Sequence, residues 1–282
     1  MPKGAPLNRS PSALPITLPI VLCLAVSGPV PVPELDGMDQ ATMQLRSSAE
    51  MGELRAMRDL ASLLLASRVK TDQLEAADWL AEAAASGDPE AMHRLACVWF
   101  AGRGVEQDRR EAVALWQAAA ASGHADAMYD LAVCYRDGRG IFKSEIRSSL
   151  WFRRAAQGGR AEAMAAWGKC LFDGIGTRTD ESAAIDWWRR AANRGNIDAM
   201  IGLAVAAGTG RGTDPDQVRS LMWWKRAANA GSPMAMLVMA AHCEMGLGVI
   251  RDAAAAERWY AKARGADAES MVAGGLVLAL PE

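Results

Sequence analysis

A chain of 282 residues that is 51% hydrophobic carries enough apolar surface for a sizeable core, which excludes disorder of the whole. Its 31 Lys and Arg against 33 Asp and Glu are interspersed without runs, so no electrostatic footprint for nucleic acid is present. Ten Trp beside three Tyr and four Phe point to one structural position filled by Trp again and again.

Residues 1–37 differ in composition from the rest of the chain. Lys3 and Arg9 precede an uncharged run, Leu14 to Val26, and Ala25-Val26-Ser27 supplies the small residues that signal peptidase accepts. A cleaved secretory signal over 1–27 is expected, which places the mature chain in the periplasm or outside the cell. Pro15 and Pro19 weaken the apolar helix of such a signal, and a cytoplasmic chain is the alternative. The run is about 13 residues long and proline-broken, too short for a membrane span. Leu22, where lipidation of Cys23 needs a small residue, argues against a lipoprotein. Residues 28–37, opening Gly28-Pro29-Val30-Pro31-Val32-Pro33, read as an extended linker.

From Met38 to residue 282 the chain is periodic. Met38 to Ala49, with Leu45 inside and Gly52 beyond, reads as a lone second helix. A first unit around Met57 is irregular, because its turn Ser67-Arg68-Val69 lacks glycine. Then Met92, Met128, Met164, Met200 and Met236 follow at steps of 36, each after an Ala. Gly-x-Gly pairs keep the same step at Gly102, Gly138, Gly174, Gly210 and Gly246, and so do Gly87, Gly123, Gly159, Gly195 and Gly231. Series in phase at such a period indicate a solenoid.

Within a unit the apolar spacing is helical: Met128, Leu131, Ala132 and Tyr135 share one face. The first helix closes at the first Gly of the pair. The second opens at Asp72, Asp108, Ser144, Asp180, Asp216 or Asp252, residues that cap free backbone N–H groups, and Asp72 with Glu75 or Asp108 with Glu111 suggests a capping box. First helices are capped alike, at Asp88 before Pro89 and Ser232 before Pro233. Second helices carry Trp79, Trp116, Trp151-Phe152, Trp187-Trp188, Trp223-Trp224 and Trp259-Tyr260, expected as wedges between units. The last unit shortens before Gly265, and Ser270 to Leu280 is expected as an unpartnered terminal helix; the total is about fourteen helices.

The pattern A-x-A-M-x-x-L-A, then Y-x-x-G-x-G, then W-[WFY]-x-[RK]-A-A-x-x-G, resembles the Sel1-like repeat family. The resemblance covers about residues 38–282 and implies an all-α solenoid, an α-α superhelix of about six 36-residue repeats with partial repeats at both ends. It also implies adaptor work: assembling envelope complexes, regulating sensor proteins, or meeting host receptors.

Chemistry finds little support. The Gly-x-Gly loops join helix to helix, so they are turns and not phosphate cradles. His93, His124 and His242 stand at different repeat positions without an i, i+4 partner, and no metal site is read from them. Cys97, Cys134, Cys170 and Cys243 lie late in first helices and read as small core residues. Cys134 and Cys170 occupy equivalent positions, and oxidative pairing is the alternative to free thiols, opposed by the usual 8–10 Å spacing of helices. Ser67-Arg68-Val69-Lys70 is formally S-x-x-K, but its companion motifs are missing. No catalytic, cofactor or metal residue is assigned, and no small-molecule substrate is expected. A peptidoglycan-directed or β-lactam-active hydrolase is the alternative that would use Ser67 and Lys70.

Positions just past each Met should face the groove of a solenoid. In the third and fourth units they are mixed and partly acidic. In the fifth and sixth they are apolar: Ile201, Gly202 and Val205, then Leu237, Val238, Ala241 and Met245. A helix apolar all round is normally covered all round. Ile201, Val205, Leu237, Val238, Ala241 and Met245 are therefore the expected groove for a protein partner, an envelope or sensor protein being what the resemblance suggests. Cover by residues 268–282, or a homodimer through them in a self-associating structural protein, is the competing expectation.

Overall fold

The computed structural model describes residues 40–273, with side chains for 42–266; the expected signal and linker lie outside the described residues. In chain order the helices are α1 (Gln40–Glu50), α2 (Leu54–Ala66), α3 (Lys70–Ala85), α4 (Pro89–Ala101), α5 (Arg109–Ala121), α6 (Ala125–Asp137), α7 (Glu145–Gln157), α8 (Ala161–Asp173), α9 (Glu181–Ala192), α10 (Ile197–Thr209), α11 (Gln217–Asn229), α12 (Pro233–Met245) and α13 (Ala253–Ala273). Each packs mainly on its chain neighbours, giving six helix pairs behind the lone α1 and, among the described residues, no strand. This is the all-α solenoid that the period of 36 predicts. No helix among the described residues is long and apolar enough to cross a membrane.

Capping follows the sequence from the second unit onward. Asp108, Ser144, Asp180 and Asp216 accept backbone N–H groups from the first turns of α5, α7, α9 and α11, and Asp252 does the same for α13. Each cap is worth about 1 kcal/mol. Two expectations need correction. Asp72 does not cap α3: the helix starts at Lys70, and Asp72 sits in its first turn. Without glycines to lengthen the turn, Ser67 closes it instead, its Oγ accepting the Val69 N–H at 3.1 Å. Asp108 forms half a capping box, since its own N–H donates to the Trp99 carbonyl at 3.2 Å and leaves nothing for Glu111. The same bond recurs from Ser144 to Tyr135, Asp180 to Leu171, Asp216 to Ala207 and Asp252 to Cys243, pinning the start of each second helix to its first.

The Gly-x-Gly pair has two jobs. Gly174 ends α8 in the left-handed region at φ 72°. Gly176, also left-handed at φ 65°, lies against the backbone of Glu145 and Ile146 at the start of the preceding unit's α7, where a Cβ would be 2.8 Å from the Ile146 nitrogen. The first glycine therefore stops a helix, and the second lets one unit's loop touch the second helix of the unit before it.

The paired aromatics also divide. The second of each pair is the wedge: Trp116, Phe152 and Trp188 are 2–5% exposed, with Leu80 in the same position of the first unit, while Trp224 and Tyr260 are half-buried. The first of each pair lies nearer the surface under a cation one turn on, at 4.6 Å for Arg154 over Trp151, 4.7 Å for Arg190 over Trp187, 5.1 Å for Arg226 over Trp223 and 4.7 Å for Lys262 over Trp259. The Trp surplus thus serves two repeated positions.

At the far end, α13 runs through Gly265 without a turn as one helix of 21 residues, so the described residues contain thirteen helices and no separate start at Ser270. Gly265 has open space around it and no left-handed angle to break the helix. The rest of the expected cover, residues 274–282, lies outside the described residues.

Candidate functional site

First helices of successive units face each other closely enough for side chains to bridge them. Arg94 of α4 donates to the Arg58 carbonyl of α2 at 3.3 Å, and His93 of α4 pairs with Asp130 of α6 at 2.8 Å. A hollow of about 530 Å³ opens on this row between α6, α8 and α10. Its floor is apolar and aromatic: Tyr129, Phe172, Trp188, Ala165, Ala166, Ile201, Gly202 and Val205.

Trp188 belongs to the second helix α9 yet reaches this floor, because two residues beside it have no side chain. A Cβ on Gly168 would lie 2.6 Å from the indole, and one on Gly202 would lie 2.8 Å from it. The indole N–H donates to the Ala165 carbonyl at 3.0 Å, and Phe172 packs against the ring with centroids 4.9 Å apart. Arg211 lies 3.9 Å over Phe172, held by Glu181 at 2.8 Å and the Phe172 carbonyl at 2.9 Å. Arg160 covers Tyr129 at 4.2 Å. Around the floor stand Arg136, Glu162, Lys169, Asp173 and Asp198, charges of both signs. An apolar floor inside a mixed charged rim suits a protein segment with apolar anchors and polar flanks.

Of the six expected groove residues, the structure brings Ile201 and Val205 into this hollow. Ile201 also borders a shallower depression with Pro233 and Met234 toward α12. Leu237 and Met245 are exposed on α12, and Val238 and Ala241 are half-buried; none of these four lines the hollow. The sequence pattern starts the apolar row at Ile201 and passes over the fourth unit. There Ala165 and Ala166 expose the aromatic floor by being small, a signal legible only once Trp188 is known to lie behind them.

A polar cluster bridges α4 and α6 one unit earlier. His124 Nδ1 accepts the Ala127 N–H at 3.2 Å, capping α6, which leaves the ring's proton on Nε2 to donate to Glu90 at 2.8 Å. Glu90 also accepts from Arg94 at 2.6 Å. Burial pushes the Glu90 carboxyl up, but these hydrogen bonds and the Arg94 charge outweigh it and bring the carboxyl down to about 2. The contribution is complete above about pH 4.5, the ordinary value, and fades as pH falls toward 2. In Glu90→Gln the loss of stability between those limits will be shallower, measured as urea midpoints at fixed pH; an unchanged acid arm contradicts the assignment.

The His93 ring stacks on His124 with centroids 4.9 Å apart, and its Nε2 meets both Asp130 Oδ2 at 2.8 Å and Cys97 Sγ at 3.7 Å. Burial pushes this imidazole down, yet the hydrogen bonds to Asp130 and Cys97 raise it to about 10. A sequence search for a second histidine overlooks Cys97, which is the i+4 partner of His93. Cys134 and Cys170 are free and buried, and burial pushes their thiols up to about 12 and about 11. Half-buried Ser67 and exposed Lys70 stand at the α2–α3 turn, with Ser67 Oγ occupied by the Val69 N–H.

The Sel1 repeat model matches six segments of the chain, residues 54–88, 89–124, 125–159, 161–196, 197–232 and 233–264. Among solved structures, a protective antigen present in uropathogenic Escherichia coli strains and displaying an SLR fold is 27% identical, with TM-score 0.74 over 86% of this chain. The chain spans about half, 53%, of that antigen. A Sel1 repeat protein from Oxalobacter formigenes is 25% identical, with TM-score 0.71, covering 79% of this chain and 90% of its own. The immunity protein PA5088 from Pseudomonas aeruginosa, 15% identical with TM-score 0.51 over 88% of this chain and 90% of its own, shares the fold. No curated protein matches the chain.

Proposed function

The chain belongs to the Sel1 repeat family, and from that premise we propose that it is a noncatalytic scaffold holding a protein partner along the first-helix row of its C-terminal half. Sel1 repeats are in general protein–protein interaction modules. One observation carries the finer reading: the hollow between α6, α8 and α10 leaves Trp188, Ile201 and Val205 at its floor, and exposed Leu237 continues the apolar row onto α12. Stacking alone does not need half-buried Ile201 and exposed Val205 and Leu237 open to solvent, and exposed apolar surface of this kind marks an interaction site. The charged rim supplies register for the partner's flanks.

A photo-crosslinker at Val205 will join the full chain to one protein of the native envelope fraction, identified by mass spectrometry. Leu237→Glu with Val238→Glu will lower that yield about tenfold or more while helical content and monomer mass stay unchanged. Undiminished crosslinking in the double variant refutes the groove.

We also propose that the chain is exported. Support comes from the Lys3, Arg9 and Ala25-Val26-Ser27 pattern of the first 27 residues and from the E. coli relative, a protective antigen. Sequencing the N-terminus of the protein purified from its native cell will begin at Gly28; a retained Met1 rules cleavage out.

A further inference from the structure

We propose that His93, Cys97 and Asp130 form a binding site for a borderline-soft divalent metal ion, Zn²⁺ in the first instance, joining the second repeat to the third. His93 and Cys97 are four residues apart, so they project from one face of α4. Asp130 reaches them from the facing side of α6, and the three ligand atoms lie within 4.8 Å of one another. Zinc bond lengths of about 2.0 Å to N or O and 2.3 Å to S put tetrahedral ligand atoms roughly 3.3–3.7 Å apart. The 3.7 Å between His93 Nε2 and Cys97 Sγ already meets that spacing. The 2.8 Å between Nε2 and Asp130 Oδ2 needs only a small rotation of the carboxylate to open.

The arrangement is that of a coordination site and not of a nucleophile with its base. In a relay the carboxylate orients the histidine from one ring nitrogen while the other faces the nucleophile. Here the same Nε2 faces both Cys97 and Asp130, so three donors converge on one point. The His93 ring is held by its stack on His124, which is itself fixed by the Ala127 N–H and Glu90. That support from outside the ligand set is what metal-binding histidines need.

Thiolate and imidazole select zinc and its neighbours over Mg²⁺ or Ca²⁺, which take oxygen ligands. Cys97 and Asp130 border a hollow of about 570 Å³, so the fourth position is open to an exchangeable ligand. Trp116 lines the same hollow, and its indole N–H is the one buried side-chain N or O without a partner among the described residues.

The test uses the full chain, reduced and stripped with a chelator, then titrated with Co²⁺. One equivalent will produce the near-ultraviolet thiolate-to-cobalt charge-transfer band with the strong visible absorption of a four-coordinate ion, and one equivalent of Zn²⁺ will abolish both. Cys97→Ser will lose the charge-transfer band with its helical circular dichroism intact. His93→Gln and Asp130→Asn will weaken Co²⁺ binding at least tenfold. No charge-transfer band at one equivalent, or a band that persists in Cys97→Ser, overturns the assignment.

Discussion

Trp188→Ala will lower the stability of the solenoid by about 3–5 kcal/mol, read from urea midpoints by circular dichroism, whereas Trp187→Ala next to it will cost no more than about 1 kcal/mol. The contrast comes from where the two rings lie. Trp188 is 5% exposed, donates to the Ala165 carbonyl, and fills the space that Gly168 and Gly202 leave beside it. Removing it opens a cavity between two units that no neighbour can fill, since glycine has no side chain to move in. Trp187 lies half-buried under Arg190, a contact that water replaces at little cost. Equal costs for the two substitutions would mean that the second aromatic of the pair is not the wedge.

Gly176→Ala will cost about 2–5 kcal/mol, the sum of the left-handed penalty of about 1–2 kcal/mol and an overpacking cost of about 1–3 kcal/mol. Gly195→Ala will cost only the first of these. Both residues are left-handed, at φ 65° and 86°, but a Cβ on Gly195 meets nothing within 4 Å while one on Gly176 meets the backbone of Glu145 and Ile146. Backbone cannot step aside as a flexible side chain can. Thermal unfolding of the two variants separates conformational cost from inter-unit contact, and a Gly176 variant no worse than the Gly195 variant would show that the contact contributes nothing.

Helix pairing, the glycine stops and most caps are legible in the sequence because they are local and repeat. A residue that must end a helix or accept a free N–H can be recognised from its own position, and five copies remove ambiguity. What is not legible depends on which side of a helix a neighbour occupies. Trp187 and Trp188 are identical in type, and only the packing of α8 against α9 decides that the second one is buried. Asp72 keeps its place in the period, but the shortened turn at Ser67 sets the helix start at Lys70, two residues before it. Gly265 resembles the other unit-closing glycines, yet α13 runs through it with no left-handed angle to end the helix.

The groove divides in the same way. Ile201 and Val205 are visible as apolar residues beyond the needs of the stack. Tyr129, just past Met128, is legible as a groove position too, but Phe172 and Trp188 are not, because the hollow is assembled from three units and Trp188 arrives from the opposite row. His93 and Cys97 are a readable i, i+4 pair, but Asp130 joins them only through the stacking of α4 and α6.

Because each helix touches little beyond its chain neighbours, a disturbance has only one route through the molecule, joint by joint. Such a body behaves as an elastic rod whose bending stiffness is set separately at every junction. The hollow spans the two joints linking α6, α8 and α10, so whatever fills it splints the middle of the rod while both ends keep their own compliance.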